Sequence, residues 1–216
     1  MIIEQKTPTA VRTGALLACG AVAGPLYIAV TAIEATTRAG FDPTQHRYNV
    51  LSTGDLGWIH RLNYGVAGVL MILFAVGVSR VLRDGRAGRW APRLFGLYGV
   101  AYICSGLFTA DPVIGFPQGT VSESTTWHGM LLMASRTASS VFLIGAIVLI
   151  AGWFMARGLR VWAWFTWAVP ISMAAYGVAG AVVDTSTKYL LFLLPGISMW
   201  VWITALALHL NSKTDH

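Results

Sequence analysis

Apolar residues in this chain run in blocks of about 20, the length a helix needs to cross roughly 30 Å of hydrocarbon. Within lipid, each backbone N–H and C=O must find its partner inside the segment, so such blocks are helices. A transmembrane barrel needs short segments of alternating polarity instead, and none is present. Only 11% of the residues are charged, against about a quarter in a soluble domain. The expected fold class is therefore all-α: an integral membrane bundle of six transmembrane helices.

The blocks place these helices at about 14–35, 58–80, 93–110, 128–155, 161–183 and 189–210. They form a single membrane domain over 14–210, with polar tails at 1–13 and 211–216. Gly20 and Gly24 give the first helix a small-residue face for close contact. The stretch LLAC at 16–19 lies too close to Arg12 to close an apolar signal core, so the first helix is expected to be retained. Cys19 and Cys104 fall inside separate helices and predict no disulfide.

The net charge of +6 is not a nucleic-acid signal, because the basic residues sit at the ends of apolar blocks. Lys6, Arg12, Arg80, Arg83, Arg86, Arg89, Arg93, Arg157, Arg160 and Lys213 share one side. Arg38, Arg47, Arg61 and Lys188 lie on the other. The richer side belongs in the cytoplasm, which gives an N-in/C-in topology. Glu34, Asp42, Asp55, Asp111, Glu123 and Asp184 then face out, with His46, His60 and His128.

Two long loops on that outer side resemble each other. Each opens with Asp-Pro, at 42–43 and 111–112, and each has a Trp 16 residues after the Asp, with a His close behind. Both a duplicated helix hairpin and shared helix-end grammar account for this.

The segment HRYNVLSTGDLGWIHRLNYGVAG, the arginine-rich link, DPVIGFPQG and TWHG together resemble the domain-of-unknown-function (DUF) family number 998. The resemblance covers about Gly14 to Leu210 and is weaker at His60 and Arg61, where the family varies more. It implies a six-helix protein of the bacterial cytoplasmic membrane. It implies no activity.

Candidate chemistry gathers at the outer end. Asp111 ends one helix and His128 begins the next, so a hairpin could pair them as acid and base. Ser52, Ser122 or Ser124 would supply a nucleophile or a hydrogen-bond donor. A structural His–Asp bond reads the same residues without catalysis. Arg136 lies eight residues beyond His128, hence about 12 Å deeper at 1.5 Å per residue. An arginine there needs a partner or water. It would snorkel toward an outer carboxylate or meet a ligand phosphate. Ser135, Ser139 and Ser140 make its helix face polar, and Asn63 either lines the same cavity or bonds across to another helix.

His46, His60 and His128 show no local metal-ligand spacing, so neither a metal nor a cofactor is indicated. The partners expected are membrane lipids and no nucleic acid. The leading functional reading is a pocket for a lipid or small anionic ligand, involving Arg136, Asn63, His46, Ser52 and Ser124. The rivals are a hydrolase or transferase on a lipid-linked substrate, using His128 and Asp111, and a small transporter.

Overall fold

The computed structural model describes residues 8–182 and 193–213. Those residues are all-helical, with six long helices. They are α1 (Pro8–Thr37), α2 (Gly57–Val81), α3 (Gly85–Leu107), α4 (Trp127–Ala156), α5 (Arg160–Val182) and α6 (Leu193–Ser212). A 3-10 helix, Tyr48–Ser52, sits in the first long loop. Four of the helices, α1, α2, α4 and α6, are long and apolar enough to cross a membrane. Their outward faces stay apolar: Val69 and Val76 on α2, and Val141 and Val148 on α4, are exposed. Continuous surface of that kind is costly in water and suited to hydrocarbon.

α2 and α4 lie within one residue of the ranges expected at each end. α3 does not. It starts at Gly85, ahead of Arg93, and ends at Leu107, short of Ala110. Hydropathy marks where hydrocarbon begins, whereas helical hydrogen bonding carries on past it. Arg86, Ala87 and Arg89 are good helix formers, and arginine heads reach water from there. α1 starts at Pro8, ahead of Gly14, for the same reason. The expected loop at 184–188, with Asp184 and Lys188, lies outside the described residues. So do the expected helix start at Tyr189, Lys6 and His216.

Each helix packs on its neighbours in sequence, and α6 closes back onto α1. Met71, Phe74, Phe95, Phe154, Trp200 and Trp202 fill the middle. Helices in lipid gain little from apolar contact alone, so close approach and hydrogen bonds must hold them. α2 and α3 touch backbone to backbone: a Cβ on Gly68 would lie 2.5 Å from the carbonyl oxygen of Gly99. On α1, Gly20 meets Phe74 of α2 and Gly24 meets the backbone of Trp200 on α6. The small-residue face of α1 thus serves two neighbours. Trp202 Nε1 donates to Thr166 Oγ1 at 3.1 Å and ties α6 to α5.

The two long loops fold onto one another and cap one end of the bundle. Val50, Leu51, Ala110, Phe116 and Leu132 form a second, smaller core there. Arg38 pins the first loop by donating to the carbonyls of Leu51 (3.1 Å) and Thr53 (2.7 Å). Its guanidinium lies 5.3 Å from the centre of the Phe116 ring in the second loop.

Candidate functional site

Polar residues of the cap are mostly spent on building it. Asp42 closes its own turn, accepting from the Thr44 amide (2.8 Å) and hydroxyl (2.6 Å) and from Gln45 (2.7 Å). The Thr44 bonds hold its carboxyl below the usual aspartate value. The Asp42 amide donates to His46 Nδ1 at 3.0 Å, so in the neutral ring Nε2 carries the proton. That proton goes to the carbonyl of Ile114, 3.1 Å away in the other loop. Ser52 Oγ donates to Asn49 O (2.8 Å) and accepts from the Ala110 amide (2.9 Å), a second tie between loops. Ser124 is exposed on the second loop and shares in neither tie. Partial burial raises the Tyr48 phenol above its usual value.

Asp111 and His128 do not meet. Asp111 Oδ1 accepts from the Thr126 amide (3.0 Å) and hydroxyl (2.6 Å). Thr126 in turn caps α4 by accepting from the Gly129 amide at 3.2 Å. Gly129 lies so close to the Asp111 carboxylate that any Cβ there would collide with it. His128 instead stacks on Trp127 with centroids 3.6 Å apart, and its buried Nδ1 has no hydrogen-bond partner. At this exposed helix end the capping threonine, and not the histidine, takes the carboxylate.

A histidine–carboxylate pair does form elsewhere. His60 Nδ1 lies 2.7 Å from Glu34 Oε2, joining α2 to α1. His60 is 0% exposed and Glu34 3%. Arg38 adds a longer contact to Glu34 at 3.6 Å. The signal was available: Glu34 is three residues from the end of α1, and His60 three from the start of α2. Antiparallel neighbours put such positions at equal depth.

Arg136 does not snorkel to an outer carboxylate. Its guanidinium carbon sits 4.6 Å from the Tyr102 ring centre and 5.2 Å from that of Tyr64. Among the described residues no carboxylate forms an ion pair with it, and its buried Nη1 has no hydrogen-bond partner. A desolvated cation–π contact contributes about 2 kcal/mol. Two such contacts offset much of the cost of placing arginine at this depth. They do not satisfy Nη1, which costs about 1–3 kcal/mol more if left unpaired. The serines that make this face polar turn back on their own helix: Ser139 and Ser140 both donate to the Arg136 carbonyl, and Ser135 to that of Leu131. Asn63 is buried in the α1–α2 seam, donating to the Tyr27 carbonyl (3.1 Å) and Thr31 Oγ1 (3.3 Å).

Open space surrounds Arg136. A cavity of about 320 Å³ is lined by Arg136, Tyr27, Tyr64, Tyr48, Arg47 and Asn49. A larger one under the loops, about 510 Å³, shares Arg47 and Asn49 with it and adds His46, Asp111 and Glu123. A third, about 380 Å³, runs from Arg136 between α1 and α6. Of the residues singled out from sequence, Arg136 lines one cavity, and His46 and Asp111 line a second that shares Arg47 and Asn49 with it. Asn63 and Ser52 go to helix and loop joints. The tyrosines that hold Arg136 were missed because aromatic residues in apolar blocks read as core.

No curated protein and no solved structure matches the chain. A family model does match, over residues 21–209, and that span reaches into all six helices and takes in both loops and Arg136 with its tyrosines. The chain belongs to the family described as "Protein of unknown function (DUF998)".

Proposed function

We propose that this is a multi-pass protein of the cell membrane that binds a lipid or small anionic ligand at Arg136. Six spans with both termini in the cytoplasm suit the arginines crowded at the α2–α3 and α4–α5 turns. The observation that carries the reading is the state of Arg136: a half-buried guanidinium against the edge-to-face pair of Tyr64 and Tyr102, lining two cavities, with its buried Nη1 unpartnered among the described residues. An anionic oxygen satisfies both the charge and the unused donor. The catalytic alternative needs Asp111 and His128 in contact, and Asp111 is occupied by Thr126.

Arg136→Gln tests the reading. The purified protein in detergent should bind phosphatidylglycerol, or its chain-free headgroup glycerophosphoglycerol, saturably in native mass spectrometry. The substitution should weaken that binding about tenfold, as loss of one charge-assisted hydrogen bond does. Absence of binding by the wild-type protein, or equal binding by both proteins, overturns it.

A further inference from the structure

We infer that the ligand is a phospholipid, held with its phosphate on Arg136 and one acyl chain between α1 and α6. This rests on the anionic-ligand reading above and adds the chemistry of the rest of the molecule.

Two unlike compartments meet at the guanidinium. The one between α1 and α6 has hydrocarbon walls from Ile28, Ala32, Ala35, Leu193 and Ile197. The other leads away under the loops toward Arg47 and Asn49. Tyr27, Tyr48 and Arg136 border both. An apolar slot, a cation, and a mixed chamber that carries Arg47 and Asn49 match the chain, phosphate and headgroup of a lipid.

Simpler ligands leave part of this unused. A free phosphate would engage Arg136 and leave the slot empty of the apolar surface it is shaped to take. An uncharged acyl compound would fill the slot and leave Nη1 without an acceptor. A phosphodiester with chains does both. Its negative charge also offsets a cation for which the described residues offer no carboxylate. Gly196 lines the slot, and an added Cβ there would meet none of the described residues within 4 Å.

The slot also gives the test. Gly196→Phe on α6 and Ala35→Phe on α1 each place a ring in the slot while leaving Arg136 and its tyrosines in place. Native mass spectrometry of the full-length protein compares phosphatidylglycerol with glycerophosphoglycerol. The wild-type protein should hold the lipid at least about tenfold more tightly than the bare headgroup, since chain burial adds about 0.8 kcal/mol per CH₂. Both slot variants should lose about tenfold in lipid affinity and keep wild-type headgroup binding, a sign that the Arg136 end is still folded. Headgroup binding as tight as lipid binding identifies a free anionic solute and overturns the inference. Undiminished lipid binding in both slot variants overturns it too. In either case a loss with Arg136→Gln leaves the anionic-ligand reading standing, whereas no effect of Arg136→Gln removes both.

Discussion

The α1–α2 and α3–α4 hairpins carry the same kinds of residue at the same end and use them in opposite ways. In the first, Glu34 and His60 face each other across the helices and bond at 2.7 Å, almost fully buried. In the second, Asp111 turns to Thr126 and His128 lies flat on Trp127. Depth makes the difference. Inside the helix pair a carboxylate has no water, so it takes the histidine at its level, with Arg38 farther off. At the exposed start of α4 the Thr126 amide and hydroxyl are adequate partners, and His128 rests on its neighbouring ring.

Three measurements would sharpen or break this contrast. The largest effect belongs to the buried pair. Glu34→Ala or His60→Ala alone should cost about 3 kcal/mol or more, because each strands its partner away from water. Thermal unfolding in detergent reads this, and the combined Glu34→Leu, His60→Leu variant should lose less than the two single losses summed. Single variants as stable as wild type would erase the distinction between the hairpins.

Asp111→Ala comes next, at about 1–2 kcal/mol for two lost hydrogen bonds at a helix end. Hydrogen exchange should quicken at the first turn of α4 and stay unchanged around His60. Slowed unfolding of the whole bundle, or equal loosening at both hairpins, would show that the two ends are not independent.

The smallest effect concerns Asp42. Its carboxyl is held below the ordinary value by Thr44, so its bonds contribute fully above the ordinary aspartate range, near about 3.9. They are lost as pH falls through the lowered value. Exchange protection of the Thr44 amide should drop along that acid titration, and Asp42→Asn should flatten the curve. A pH-independent Thr44 amide in the wild-type protein would remove Asp42 from the cap.

Much of this architecture was legible in the residues. The apolar blocks give α2 and α4 to within one residue, and Gly20 and Gly24 do mark close contacts. The two loops, whose shared Asp-Pro and Trp spacing reads as duplication or as common helix-end grammar, pack together through His46, Ser52 and Phe116. The start of α3 was hidden because hydropathy reports solvent and not hydrogen bonding. The partners of Arg136 were hidden for a different reason. A search for a counter-charge looks for carboxylates, and Tyr64 and Tyr102 meet the cation with ring faces.

One feature of the bundle reaches further than its place suggests. Tyr64 stands four residues before Gly68 on α2, and Tyr102 three after Gly99 on α3, so each ring shares a face with its glycine. Those glycines are where the two helices touch. The two rings, 5.6 Å apart and edge to face, thus stand together on a joint that has no side chain to compress, with Arg136 against the pair. Their placement follows from how closely Gly68 and Gly99 let the two helices approach. The seat of the cation is in this sense a property of backbone spacing.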